Sequence, residues 1–217
     1  MSPQLAPWHR RHPGCITGSV YAGAPSERIA LARTMSEAGL TVHVDVIDDG
    51  HGGDRGIDMA GLRDIAAVVP EGNLEVHLIG SPDFVDERLR DILACAPTRV
   101  FLPWASFTNP RAGAVRTSGA GAWITVWDEW TGLGEPHWPA APDGVLVMLI
   151  EPGTRDTAGI DRLAIVTACA SGLPVAVDGG VTEQLAALCV SAGAQSMVVG
   201  RALLADTASA PDLERTK

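Results

Sequence analysis

The stretch VHVDVIDDG, residues 42–50, reads as a buried strand interrupted by polar residues. Its valines alternate with His43 and Asp45. Because successive side chains of a strand point to opposite faces, the histidine and the aspartate share one face. A buried imidazole and a buried carboxylate cost free energy unless they are paired or bind something. The stretch therefore predicts a core strand that carries a functional pair on one face.

Similar short apolar runs recur along the chain and alternate with amphipathic segments. Eight runs have the length of a strand: residues 15–23, 41–48, 74–80, 99–106, 122–129, 144–151, 173–180 and 195–202. Apolar residues three and four positions apart, which is helical spacing, occur in residues 25–40, 56–72, 82–97, 159–173 and 181–194. This strand–helix repetition indicates parallel strands joined by crossover helices.

Eight such units predict an α/β fold of one domain, a (β/α)8 TIM barrel formed by residues 15–217. Residues 1–14 are expected to form an N-terminal arm, and they lack the apolar segment of a signal peptide. Residues 107–143 interrupt the pattern with many glycines and prolines, which predicts shortened or irregular helices after the fourth and fifth strands. An open Rossmann-like sheet is the alternative fold, but no GxGxxG motif follows the first strand.

Composition limits the classes of partner. The 217 residues carry a formal net charge of −10, which disfavours nucleic acid, because a phosphate backbone requires a basic surface. No apolar run is long enough to span a membrane. The four cysteines are far apart and form no C-x-x-C pair, as expected for reduced thiols of a cytoplasmic protein. The chain thus has the composition of an ordinary soluble domain.

Polar residues gather near the carboxyl ends of the predicted strands, where barrels of this type carry their catalytic groups. They are Ser19, His43, Asp45, His77 and Asp178. Two imidazoles and two carboxylates together suit one divalent ion of Zn, Mn or Fe. Each residue also has an ordinary explanation: a histidine can be hydrogen-bonded core, Asp178 a turn residue before two glycines, and Ser19 a backbone partner. Their combination favours a metal site, since several buried polar groups would otherwise lack compensation.

Glu75 shares the face of His77 and lies one step deeper in the same strand. The residues alone leave two roles open for it. It could hydrogen-bond to a metal ligand, or it could pair with an arginine or lysine of the barrel core. We therefore leave Glu75 outside the predicted site.

Taken together, the segments HVDVIDDG, LEVHLIG, VLVMLIEPG and VAVDGGV, with the closing AGAQSMVVGRAL, resemble the ribulose-phosphate 3-epimerase family. The resemblance implies a TIM barrel with one divalent metal ion held by His43, Asp45, His77 and Asp178. It also implies that Asp45 and Asp178 are the catalytic acid and base, which move a proton at C3 of a ketose phosphate such as ribulose 5-phosphate or xylulose 5-phosphate. The intermediate of such a reaction would be an ene-diolate, and a divalent ion held by these residues would stabilise its developing negative charge.

The same resemblance implies a set of substrate-binding residues. Ser19 matches the family's serine on strand one. Met148 matches one of three methionines near the metal, and Ile47 and Ile79 replace the other two. The backbone cradle of the family's phosphate corresponds to Gly153, Gly179, Gly180 and Gly200.

The phosphate-binding loops depart from the family pattern. A glycine pair expected after strand six is absent from EPGTRDTAG, residues 151–159, and Arg201 follows Gly200 where the family has Gly-Ser. Arg155 or Arg201 could hold an anion through its guanidinium group. Alternatively, Arg201 simply starts the last helix and faces solvent. Related sugar-phosphate decarboxylases also have Gly-Arg at this point, but they need a lysine on strand two that this chain lacks.

Tryptophans at or after strands four and five are a second departure. They are Trp104, Trp127, Trp130 and Trp138. Their rings could stack on a sugar or on a larger apolar substituent at the mouth of the barrel. Alternatively, they pack residues 107–143 in place of the missing helices.

With this resemblance, the sequence predicts a cytoplasmic, metal-dependent isomerase of pentose phosphate metabolism that acts on a small-molecule sugar and could form a homo-oligomer. One alternative is an epimerase for a modified or non-phosphorylated sugar derivative, which the altered loop at residues 154–157 suggests. Another is a barrel that binds a metal or a sugar phosphate without catalysis. The presence of both aspartates disfavours this last alternative.

Overall fold

The eight predicted strands form a closed parallel barrel in the computed structural model of the protein, which describes residues 3–50, 55–154 and 156–205. The strands are β1 (Ile16–Ser19), β2 (Thr41–Ile47), β3 (Leu74–Ile79), β4 (Arg99–Pro103), β5 (Gly121–Val126), β6 (Gly144–Met148), β7 (Val175–Asp178) and β8 (Ser196–Val199). Each strand pairs in parallel with the next, and β8 pairs with β1 to close the ring. The prediction of a (β/α)8 TIM barrel is confirmed.

Helices surround the barrel between the strands. They are α1 (Arg28–Glu37), α2 (Met59–Ala66), α3 (Pro82–Leu93), α4 (Asn109–Thr117), α5 (Leu163–Ala170) and α6 (Glu183–Ala192). Side-chain oxygens of Asp58, Ser81 and Thr182 accept hydrogen bonds from the first-turn amides of α2, α3 and α6. These caps satisfy amide groups that a helix start leaves without a partner, and so they set where each helix begins.

Residues 107–143 are irregular, as predicted. Helix α4, with nine residues, is no shorter than α2 and α5, so the irregularity lies between β5 and β6, where the described residues form no helix. Three tryptophan rings pack there instead. The ring of Trp138 lies 5.2 Å from that of Trp104 and 5.8 Å from that of Trp130, measured between centroids. All three are half-buried and pack against the outer core.

Alternation along the strands separates two layers of core. On β2, the three valines belong to the large core between barrel and helices. A smaller cluster fills the barrel interior, formed by Phe101, Trp123, Leu146, Met148 and Ala176. Gly144 makes room for it, because a Cβ atom at that position would lie 2.6 Å from the ring of Trp123. Since His43 and Asp45 alternate with the valines, they face the interior.

The N-terminal segment packs alongside the end of β8. The indole of Trp8 is buried, and its Nε1 donates a hydrogen bond to the carbonyl oxygen of Ala202. Leu5 forms an antiparallel bridge with Leu204, and Arg11 forms an ion pair with Glu183 at the start of α6. Within the described ranges, no helix combines the length and apolar character needed to cross a membrane.

Candidate metal centre

Three strands of the barrel bring four polar side chains together at its carboxyl-terminal end. His43 and Asp45 lie on β2, His77 on β3 and Asp178 at the end of β7. The register of the β2–β3 pair places Asp45 opposite His77. The side chains of the two histidines are buried, whereas those of Asp45 and Asp178 are 10% and 15% exposed. The site therefore opens toward solvent at the two aspartates.

The four potential donor atoms fit around a single ion. His43 Nε2 lies 3.2 Å from Asp45 Oδ1 and 3.9 Å from Asp178 Oδ2. His77 Nδ1 lies 3.4 Å and 3.6 Å from the same two oxygens. The four donor atoms all lie within 4.8 Å of one another. Donors about 2 Å from a tetrahedral ion are separated by roughly 3 to 4 Å, so this spacing suits a divalent metal.

In each histidine, one ring nitrogen contacts another protein side chain and the other faces the centre of the cluster. His43 Nδ1 lies 2.8 Å from Glu75 Oε1, and His77 Nε2 lies 3.3 Å from Thr125 Oγ1. The remaining nitrogen of His77, Nδ1, is buried and has no hydrogen-bond partner among the described residues. A buried polar atom without a partner is costly, and a metal ion at the centre would satisfy it.

The electrostatics of the cluster favour positive charge. Burial by itself would lower the pKa of His43, but the charges and hydrogen bonds of Asp45 and Glu75 together outweigh it, and the pKa lies well above its ordinary value. Burial would likewise raise the pKa of Asp45, but the charge of His43 and the contacts with both histidines lower it. The carboxylates therefore stabilise a positive charge beside them. A divalent cation would supply that charge, and the imidazoles would then stay neutral.

A cavity of about 360 Å³ opens above these four residues. Asp45 and Asp178 form part of its wall, as do all the residues predicted to bind substrate: Ser19, Met148, Gly153, Gly179, Gly180, Gly200 and Arg201. Ile47 and Ile79 also line it. Ser19 Oγ donates a hydrogen bond of 3.2 Å to Asp45 Oδ2. The cavity thus joins the metal cluster to the glycine-rich loops.

The end of the cavity at Arg201 bears on the two alternatives for this residue. One alternative had Arg201 at the start of the last helix, and in the described residues it begins a 3₁₀ helix of only three residues. So short a helix has no appreciable dipole, so the guanidinium group itself is the source of positive charge there. Arg155 lies outside the described residues, as do residues 206–217.

Several residues near the site carried no signal that sequence reasoning used. Thr154 and Asp156 line the cavity. Arg55 Nη2 donates a hydrogen bond of 2.9 Å to the carbonyl oxygen of Gly153, which joins the loop after β2 to the loop after β6. Glu75, by contrast, was considered from the sequence, and it fills both of the roles left open for it, because it contacts His43 and pairs with Arg99. Such partners come from separate strands and loops, and only the fold brings them together.

The tryptophans do not reach the cavity. None of Trp104, Trp127, Trp130 and Trp138 is among its lining residues. Trp127 packs against the inner cluster and under the guanidinium group of Arg162, which lies 4.1 Å from its ring centroid. Of the two alternatives, the geometry fits packing of the irregular region.

Comparison with protein families gives a match over nearly the whole chain. The model of the ribulose-phosphate 3-epimerase family matches residues 15–204. A comparison with curated proteins finds no match.

Solved structures with the same architecture are distant in sequence. Phosphoribosyl anthranilate isomerase from Thermus thermophilus is 14% identical with a TM-score of 0.59, over 87% of this chain and 88% of that chain. Tryptophan synthase from M. tuberculosis is 16% identical with a TM-score of 0.57, over 89% and 86%. FabK from Thermotoga maritima is 18% identical with a TM-score of 0.58, over 88% and 61%. These likenesses show the barrel fold alone.

Proposed function

Because the chain belongs to the ribulose-phosphate 3-epimerase family, we propose that it catalyses metal-dependent epimerisation at C3 of a ketose phosphate of the ribulose 5-phosphate and xylulose 5-phosphate type. The observation that carries this proposal is the cluster of His43, Asp45, His77 and Asp178 at the base of the cavity. Two imidazoles and two carboxylates form a donor set suited to a divalent ion of Zn, Mn or Fe. When bound, such an ion supplies electrophilic stabilisation of negative charge on substrate oxygens.

Asp45 and Asp178 carry the proton in this proposal. A C–H bond beside a ketone is weakly acidic, and inversion at C3 requires a base on one face and an acid on the other. The two aspartates come from β2 and β7, which β1 and β8 separate in the ring. Their carboxylates can therefore approach a planar carbon from opposite sides. The hydrogen bond from Ser19 to Asp45 Oδ2 holds one of these carboxylates in place.

The walls of the cavity support the same chemistry. Ile47, Ile79 and Met148 line it with apolar surface near the cluster. Such surface limits the access of water to the intermediate and strengthens electrostatic interactions inside the site. Farther out, Arg201 and the backbone of Gly179, Gly180 and Gly200 offer donors to a phosphate group.

Solvent-proton exchange tests this proposal directly. In D₂O the metal-loaded protein should introduce deuterium at C3 of ribulose 5-phosphate, read by ¹H NMR, as it forms the xylulose epimer. Asp178→Asn should slow epimerisation by at least about 10³-fold, because the amide keeps the shape but cannot carry the proton. The matched control is Asp64→Asn, an exposed position on α2, which should keep full activity.

Two results would count against the mechanism. Undiminished turnover in Asp178→Asn would exclude the two-aspartate route. Failure of the wild-type, metal-loaded protein to exchange the C3 proton of any ketose phosphate would exclude the proposed reaction.

A second candidate is epimerisation of a modified or non-phosphorylated sugar derivative. Asp156, on the altered loop after β6, lines the same cavity as Arg201. A carboxylate repels a phosphate but accepts hydrogen bonds from sugar hydroxyls. Higher kcat/KM for an unphosphorylated ketose than for its phosphate would favour this candidate over the first.

A further inference from the structure

Glu75 is a buried carboxylate directly below the candidate metal centre. Its side chain is 1% exposed, and it lies on the interior face of β3, between His43 on β2 and Arg99 on β4 in the register of the sheet. Both of its oxygens are engaged. Oε1 lies 2.8 Å from His43 Nδ1, and Oε2 forms an ion pair with Arg99 Nη2. A carboxylate in such a place stays ionised only if a cation is fixed beside it.

Arg99 is fixed from several sides. Its Nη1 donates a hydrogen bond of 3.2 Å to Ser196 Oγ on β8, on the far side of the ring from β4. Its guanidinium carbon lies 5.0 Å from the ring centroid of Trp123 and 5.8 Å from that of Phe101. These contacts leave the guanidinium group few alternative positions, because they hold it by hydrogen bonding and by attraction to two aromatic rings at once.

We propose that Arg99 and Glu75 are a positioning pair for the metal ligand His43. Arg99 orients the carboxylate, Glu75 Oε1 accepts the hydrogen of His43 Nδ1, and Nε2 is thereby directed to the other donor atoms. Nε2 indeed lies 3.2 Å from Asp45 Oδ1. A metal-binding histidine is oriented by the partner of its second ring nitrogen. This inference rests on the metal centre of the proposed function and adds to it two residues that lie deeper in the barrel.

The chain offers a matched control for Arg99. Arg111, on α4, also pairs with a carboxylate, through two hydrogen bonds of 2.8 and 2.7 Å to Asp86. That pair joins α3 to α4 outside the barrel, with the Asp86 side chain exposed, whereas the cluster lies on β2, β3 and β7. Arg99→Met and Arg111→Met thus each remove a guanidinium group that pairs with a carboxylate. Only Arg99→Met removes one that lies next to the candidate metal centre.

The test measures Zn²⁺ affinity by competition with a chelator. Arg99→Met and Glu75→Gln should each weaken Zn²⁺ binding by about 10- to 100-fold, the usual effect of losing the partner of a metal ligand. Arg99→Lys, which keeps the charge, should recover part of the loss, and Arg111→Met should bind as the wild type does. In addition, ¹⁵N NMR of the Zn²⁺-loaded wild type should show His43 protonated at Nδ1, a readout that a merely structural role would not affect.

The outcomes separate this inference from the proposed function. Wild-type affinity in both Arg99→Met and Glu75→Gln would overturn the positioning pair while leaving the metal centre intact. If Arg99→Met does not fold, the ¹⁵N spectrum of the wild type decides, and a His43 unprotonated at Nδ1 would overturn the inference. A wild-type protein that binds no Zn²⁺ would instead contradict the metal centre itself.

Discussion

At the scale of single residues, the site depends on which nitrogen or oxygen of each side chain is already occupied. His43 and His77 use opposite ring nitrogens for the centre, Nε2 and Nδ1, because Glu75 and Thr125 contact the other nitrogen of each ring. The residue types were evident from the sequence, and their shared face followed from the period of a strand. Which nitrogen each ring presents depends on neighbours from other strands, and no local pattern contains that information.

One testable prediction at this scale concerns Arg201. If the substrate is a phosphate, its guanidinium group replaces backbone donors that the altered loops lack, so Arg201→Ala should raise KM for the phosphorylated ketose by about tenfold or more. The unphosphorylated sugar should respond little. Arg33→Ala, at an exposed position on α1, is the matched control and should change neither value. Steady-state kinetics with both substrates would reveal a general effect on the fold, since KM would then change equally for both.

At the scale of elements, the connection between β5 and β6 departs most from a regular barrel. No helix forms there, and the gap is closed by tryptophan rings and by Arg162. Arg162 donates to the carbonyl oxygens of Met148 and Trp127, at the ends of β6 and β5. Glycines and prolines in the sequence predicted a short or irregular helix there, but the identity of the groups that replace it follows from tertiary packing.

Trp138 provides a prediction for this element. Trp138→Ala should lower the free energy of unfolding by about 2 kcal/mol, less than the roughly 3–5 kcal/mol of a fully buried tryptophan, because the ring is half-buried. Urea unfolding followed by circular dichroism measures this loss, and Trp138→Phe should recover part of it. Since Trp138 does not line the cavity, kcat/KM should stay within about twofold of the wild type. A large loss of activity at unchanged stability would instead indicate contact with substrate.

At the scale of the whole molecule, the metal cluster links distant parts of the ring. The four side chains that could hold a metal ion come from β2, β3 and β7, so a bound ion would connect β2 and β3 to β7 across the intervening β1 and β8. These side chains converge only in the folded chain. Metal binding would therefore be coupled to the stability of the entire barrel.

Thermal unfolding measures this coupling. Zn²⁺ at about 100 times its Kd should stabilise the fold by about 2.7 kcal/mol, which corresponds to a rise in Tm of roughly 5–10 °C for a chain of this size. A chelator should reverse the rise. His77→Ala removes one ligand and should abolish most of it, whereas a full shift in that variant would show that the ion binds elsewhere.

The sequence by itself determined the strand–helix order, the closure into eight units and the shared interior face of His43 and Asp45, because alternation and helical spacing are local properties of the chain. It also placed His77 and Asp178 near the same end of the barrel, since parallel strands end at one rim. Only the tertiary structure decided the distances between their donor atoms and the contact of Glu75 with both His43 and Arg99. Those depend on the register of paired strands and on ring closure, which join residues far apart in the chain.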